Sequence, residues 1–176
     1  MNTYNQYLQK LLFEANRQEL LDISNRGQNL FTPKSIKYAG ISPKSKTIYF
    51  KTGKYLQKIR LSEYRQISRL RGDYDEKLEL AVNDEIKVYC SCPDFLYSGQ
   101  QYMAWNLDYG IHKEMRPPDI RNPKLDGSIC KHLYYLLNNI DTYIPKIAKD
   151  FYDSRVDRKI RKKKIKFNSV DPNLKF

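Results

Sequence analysis

The sequence predicts an α+β protein, in which a small antiparallel sheet with packed helices forms a single domain over residues 1–152. A basic C-terminal arm, called the basic arm below, follows over residues 153–176. Short segments rich in β-branched and aromatic residues follow one another between residues 35 and 61, which is typical of small antiparallel sheets. Apolar residues at helical spacing lie on both sides of that region, and 176 residues are enough for one modest core.

The N-terminal segment predicts an amphipathic helix over residues 3–23. Leu8, Leu11 and Ala15 recur at the spacing that places side chains on one helical face. Gly27 and the polar residues before it are expected to stop this helix.

Three strands are predicted next, in the segments SIKYAG, KTIYFKT and YLQKIRL. The sequence KTGKY between the second and the third indicates a hairpin turn. A further strand is predicted in EIKVYCSC. Residues two apart on a strand point to the same side, so Cys90 and Cys92 are expected to face one point in space.

The remaining elements are predicted to be helices and one irregular stretch. SEYRQISRLRG fits a short helix with Ser62 as N-cap and Gly72 as stop, whereas residues 74–82 fit either a strand or a helix. Pro93 is expected to end the preceding strand, and Asp94 to cap a helix over FLYSGQQYMAWNL. The aromatic residues of that helix expected to pack inward are Phe95, Tyr102 and Trp105.

Residues 108–128 are predicted to be low in regular structure, and a helix with a long apolar stripe is predicted from Cys130 onward. Pro145 is expected to break or kink it, because proline cannot donate the helical hydrogen bond. The stripe consists of Leu133, Leu136, Leu137, Ile140, Ile144, Ile147 and Phe151.

The net charge of +12 is concentrated near the C-terminus. The basic residues of that cluster are Arg155, Arg158, Lys159, Arg161, Lys162, Lys163, Lys164 and Lys166. Such a run is usually a solvated or disordered arm that meets nucleic acid or the acidic face of another protein, or an exposed tail that serves only solubility. No apolar run is long enough for a membrane span and no signal peptide is recognisable, so we expect a protein that folds in a cytosol.

All three cysteines and one of the two histidines lie in two short segments. Cys90 and Cys92 end the predicted strand, and Cys130 and His132 open the predicted helix about forty residues later. Three sulfurs and one imidazole are a common donor set for structural zinc. A disulfide, unligated buried cysteines or a catalytic cysteine–histidine pair are the alternatives, and His112 is a reserve ligand.

Cys-x-Cys, a long spacer and Cys-x-His, placed at a strand end and a helix start, resemble the SWIM-type zinc finger over residues 86–137. The segment is similar to a version of the motif found in proteins of tailed bacteriophages. Shared features are a Cys-x-Cys-Pro-x-Phe start, an aromatic helix, a loop with Arg-Pro-Pro and Arg-Asn-Pro, and a Gly-x-x-Cys-Lys-His-Leu end. The resemblance implies zinc ligation by Cys90, Cys92, Cys130 and His132, and a place in a phage particle, in the connector or ring region between head and tail.

The first functional hypothesis is therefore a non-enzymatic virion structural protein, assembled in the host cytoplasm and held in a ring with copies of itself and other virion proteins. The second is a nonspecific nucleic-acid-binding module that uses the basic arm. An enzyme is the third, since no phosphate-binding glycine loop and no carboxylate pair beside a histidine stand out.

Overall fold

The sheet and its helices form one layered α+β structure, as the sequence predicts. The structure is a computed structural model that describes residues 16–23, 36–69, 71–118, 122 and 129–168, with side chains described as far as Lys159. In this part of the chain a four-stranded antiparallel sheet packs against helices through one continuous apolar core.

The sheet is a meander in which the spatial order of the strands equals their order in the chain. Its strands are β1 (Ile36–Ser42), β2 (Thr47–Thr52), β3 (Tyr55–Leu61) and β4 (Ile86–Cys90). All four predicted strands are confirmed, as is the hairpin between β2 and β3. Gly53 adopts φ +57° in that turn, a conformation in which glycine carries no steric cost.

The inner face of the sheet is apolar except at one position. Ile48, Ile59 and Val88 lie opposite one another in adjacent strands and are fully buried. The next row toward the β2–β3 hairpin contains Gln57, which lies between Phe50 and Cys90 and is also fully buried. The register therefore places a buried amide beside the first cysteine.

Besides the sheet, the described residues form seven helices and one short 3-10 turn. They are α1 (Arg17–Ile23), α2 (Tyr64–Ile67), α3 (Tyr74–Asn83), α4 (Pro93–Tyr97), α5 (Gln100–Asn106), α6 (Lys131–Asn139), the 3-10 turn (Ile140–Tyr143) and α7 (Ile144–Asn168). Helix α3 packs against α7, and α1 packs against α6. No helix among the described residues is both long enough and apolar enough to cross a membrane.

Helix α1 begins later than an unbroken helix over residues 3–23 would require. The Asn16 side chain accepts a hydrogen bond from the Glu19 amide at 3.0 Å, and the Glu19 carboxylate accepts one from the Asn16 amide at 3.3 Å. This reciprocal cap ends the helix on its N-terminal side, and Asn16 itself forms an isolated bridge with Glu85. The predicted helical residues 3–15 lie outside the described part of the chain.

Between β3 and β4, the N-cap prediction is wrong and the choice between strand and helix for residues 74–82 is decided. Ser62 is not an N-cap: its amide donates to the Glu85 carbonyl at 3.3 Å and extends the end of the sheet, and α2 starts two residues later. Residues 74–82, which fitted two structures, belong to helix α3. The reason is a capping box in which Asp73 and Glu76 bond reciprocally, at 2.9 and 3.3 Å.

The single helix predicted after Asp94 is two short helices, α4 and α5. Gly99 lies between them with φ +80°, a left-handed conformation that interrupts a helix. The break re-orients the second half, so that Trp105 is 38% exposed instead of packing inward, and Tyr102 is half-buried. Phe95 is buried as expected.

The long C-terminal helix is interrupted close to Pro145, as the sequence predicts. The 3-10 turn separates α6 from α7, and Pro145 occupies the first turn of α7, where a missing amide hydrogen costs little. Helix α7 is 25 residues long and ends at Asn168. The basic residues expected in a solvated or disordered arm are thus carried on a helix that leaves the core after Phe151.

Candidate metal centre

The four predicted ligands, which are far apart along the chain, lie together in space. The sulfur atoms of Cys90, Cys92 and Cys130 and a ring nitrogen of His132 all lie within 4.8 Å of one another. All four residues are buried, and the most exposed of them, His132, shows only 6% of its surface. This group, called the Cys3His cluster below, could hold a metal ion.

The first two cysteines are presented by the end of the sheet. Cys90 is the last residue of β4, and Cys92 follows outside the strand as the N-cap of α4. Ser91 holds the chain extended between them, since its amide donates to the Leu56 carbonyl and its hydroxyl accepts from the Leu56 amide, both at 2.9 Å. Both thiols therefore point to the same side, as strand geometry predicts.

Cys92 has a second role, which the sequence analysis assigned to Asp94. Its sulfur accepts a hydrogen bond from the Phe95 amide at 3.4 Å and so caps α4. A thiolate is well suited to this position because the free amide groups of a helix start favour negative charge.

The other two donors come from the start of α6. Cys130 is the N-cap residue, with extended backbone at φ −75° and ψ 162°, and His132 lies in the first turn. The Tyr55 ring packs against the His132 imidazole with centroids 5.0 Å apart. The β2–β3 hairpin therefore shields one side of the cluster from solvent.

A buried amide also contacts the cluster. The Gln57 side-chain nitrogen donates a hydrogen bond to the Cys90 sulfur at 3.8 Å, and its Oε1 accepts one from the Thr52 hydroxyl at 3.2 Å. A hydrogen bond to a cysteine sulfur favours its charged form. Gln57 is not among the residues predicted for this site, although a polar residue in the inward register of β3 is a signal present in the sequence.

The three thiols have pKa values that are shifted in different directions. Hydrogen bonds from Cys130 and Cys90 hold the pKa of Cys92 far below its ordinary value. The bond with Cys130 works to lower the pKa of Cys90 as well, but Cys92 and burial outweigh it and raise this pKa to about 12. Burial, followed by the neighbouring thiols, raises the pKa of Cys130 well above its ordinary value. A bound metal would displace the thiol protons of its ligands.

The donor set fits a metal ion that prefers sulfur and nitrogen ligands. The three cysteines are free thiols, so no disulfide competes for the sulfurs. Four donors from two separate segments match the tetrahedral shell of structural sites.

The reserve ligand His112 does not join the cluster. Its Nε2 lies 2.9 Å from the Lys58 Nζ, and its ring meets Tyr89 edge-on with centroids 4.4 Å apart. Burial, and then the charges of Lys58 and Arg60, lower the pKa of His112. The neutral ring is therefore favoured as an acceptor for the Lys58 ammonium on the outer face of the sheet.

The predicted basic residues fall into two groups. Arg155, Arg158 and Lys159 are exposed on helix α7. The other five are Arg161, Lys162, Lys163, Lys164 and Lys166, which lie on the same helix, with side chains beyond the described part. None of the three described side chains lies in the Cys3His cluster.

The fold and the cluster define a small α+β protein with a buried four-donor centre that could bind a metal ion. Comparisons with protein families, curated proteins and solved structures found no match to this chain.

Proposed function

We propose that the protein is a non-enzymatic structural protein whose domain is stabilised by one zinc ion in the Cys3His cluster. The observation that carries this proposal is the convergence of four buried donor atoms within 4.8 Å. Four protein donors complete a tetrahedral shell and leave no position for water or substrate. Such an ion stabilises a fold and does not catalyse a reaction.

Zinc is the metal that this donor set favours. Three thiolates select a soft or borderline cation, and imidazole is compatible with the same choice. Zinc has no redox chemistry and no geometric preference of its own, so it accepts the tetrahedral arrangement that a strand end and a helix start can provide.

The ion would join the end of β4 to the start of α6. These ends are connected by α4, α5 and the proline-containing segment, so the cross-link closes a loop of about forty residues. The pocket lies between the hairpin that carries Tyr55 and the first turn of α6. The free energy of zinc binding is then part of the free energy of folding for the second half of the chain.

We further propose that the protein is a virion component of a tailed bacteriophage, in the head–tail connector or tail ring region. The support is the resemblance to the SWIM-type motif of phage proteins in residues 86–137. The outer part of α7 is consistent with this role, because its side chains from Tyr152 to Lys159 are exposed or half-buried. An exposed helical segment of this kind can contact a neighbouring virion protein, and a ring of copies would make many such contacts at once.

The decisive experiment measures the metal content and the size of the purified protein before and after nuclease treatment. We expect one zinc ion per chain and an assembly of several subunits whose size nuclease does not change. Absence of zinc from freshly purified protein would contradict the metal centre. A monomer that keeps its zinc would contradict the ring and leave the metal centre intact.

A further inference from the structure

Basic residues that are far apart in the sequence line a single cleft beside helix α7. The cleft encloses about 420 Å³ between α7, α2 and the turn that joins β1 to β2. Its six basic residues are Lys44, Lys46, Arg65, Arg155, Arg158 and Lys159. Tyr64 and Phe151, both buried, contribute to its lining. We call this feature the basic cleft.

The positive charges of the basic cleft have no carboxylate partner among the described residues. No acidic residue lines the cleft. None of the six cleft cations forms an ion pair with another described residue. A cleft lined by charges of one sign focuses the electrostatic field, so these six cations favour a positive potential at one concave site.

Two of the arginines are held in place by neighbouring groups. The Arg155 guanidinium lies over the Tyr74 ring, 5.9 Å from its centroid. The Arg158 Nε donates to the Ser154 carbonyl at 3.1 Å. Such contacts reduce the rotamer freedom that a ligand would otherwise have to remove.

The positive charges of the cleft also act on Tyr64, which lines it. Burial raises the pKa of Tyr64, while the charges of Arg155 and Arg158 act against that rise. Their field therefore already favours negative charge at the tyrosine oxygen, and an anion in the cleft would experience the same field.

We propose that the basic cleft binds phosphate groups of a nucleic-acid backbone, without reading the base sequence. Arginine forks and lysine ammonium groups are the usual partners of phosphate oxygens. Helix α7 carries further basic residues as far as Lys166, which suits a linear polyanion better than a single small anion. A neighbouring copy of this chain is a poorer occupant of the cleft, because a protein of net charge +12 offers less negative charge to six cations than a phosphate backbone does.

This inference does not rest on the metal centre. The β1–β2 turn lies beside the Leu61 end of β3, where the Leu61 amide donates to the Lys46 carbonyl. The Cys3His cluster lies at the opposite end of the sheet, where Cys90 pairs with Gln57 and Tyr55 packs on His132. The two sites can therefore fail or succeed independently.

The test neutralises the three cleft cations that lie outside the basic arm. Zinc-loaded Lys44→Gln/Lys46→Gln/Arg65→Gln is titrated into a short fluorescent DNA duplex of mixed sequence, and anisotropy is followed over a range of salt concentrations. We expect affinity at about 50 mM salt to fall at least about tenfold, and the slope of log K against log salt to decrease by about two to three. The double variant Arg155→Gln/Arg158→Gln removes two charges on the α7 side of the cleft and should show a similar loss of affinity.

The matched control removes the same charge elsewhere. Lys51, Lys54 and Lys113 are exposed and do not line the cleft, so their triple replacement by glutamine should change affinity less than about twofold. Equal losses in the cleft variants and the control would overturn the proposal, because the effect would then be one of net charge alone. Displacement of DNA by polyglutamate at lower charge concentration than by unlabelled DNA would also overturn it, in favour of an acidic protein segment.

Discussion

Replacing Cys130 by serine is the cleanest perturbation of the proposed metal centre. Cys130 is the N-cap of α6 and makes no capping hydrogen bond of its own. Serine is among the most favourable N-cap residues, so the start of α6 should be preserved or slightly stabilised. A loss of stability in Cys130→Ser that a chelator reproduces in the parent then reports the loss of a metal ligand.

The expected size of that loss follows from the loop that the ion closes. A covalent cross-link across about forty residues would stabilise the fold by about 4 kcal/mol, and this value is taken as a lower bound for the ion. The apparent binding free energy of structural zinc in small peptides is larger, about 10–16 kcal/mol. A domain of this size has a total stability of about 5–15 kcal/mol. We therefore expect Cys130→Ser to lose at least about 4 kcal/mol and to melt at least about 8 °C lower, at about 2 °C per kcal/mol.

The assay combines metal content with two probes of unfolding. Zinc per chain is measured by elemental analysis, and urea and thermal unfolding are followed by circular dichroism and by tryptophan fluorescence. Trp105 is the only tryptophan and lies inside the closed loop, so it reports the affected half of the chain. A chelator should lower the parent to the stability of the variant and leave the variant unchanged. Retention of one zinc per chain together with the parent unfolding curve in Cys130→Ser would refute the ligand assignment.

Three further predictions concern single side chains. His132→Gln should lose zinc, whereas the matched variant His112→Gln should keep it; equal zinc content in the two, measured by elemental analysis, would argue against the cluster. Gly110→Ala should cost about 1–3 kcal/mol in urea unfolding, because its Cβ would lie 2.7 Å from the Ala104 backbone, and an unchanged midpoint would contradict this close approach. Burial raises the pKa of Tyr109, so above about pH 10 the unfolded state loses this proton while the folded state keeps it, and stability falls as pH rises. Tyr109→Phe should remove about 1.4 kcal/mol per pH unit from that slope, and identical alkaline slopes in parent and variant would show that the folded state does not suppress this ionisation.

Local patterns predicted most of the elements but not all of their ends. The strands follow from alternation of side chains, which depends only on the strand's own residues. One continuous helix is predicted after Asp94, yet Gly99 within it takes a left-handed conformation and divides it. Ser62 is a good N-cap by residue type, but its amide is used to extend the sheet toward Glu85. Such choices depend on partners that are distant in sequence.

The sequence alone was sufficient to select the four donors, because cysteine and histidine are rare in this chain and their spacing matches two rigid presentations, a strand end and a helix start. It could not show that the two pairs meet, since that requires the β2–β3 hairpin and α6 to pack on the same end of the sheet. The basic cleft could be predicted even less from the sequence than the meeting of the two donor pairs. Lys46, Arg65 and Arg155 have no common sequence pattern, and the charge run near the C-terminus drew attention to one of its sides only. Chain-local rules determine backbone conformation and which faces are apolar, whereas the gathering of polar and charged groups into sites depends on how those faces pack.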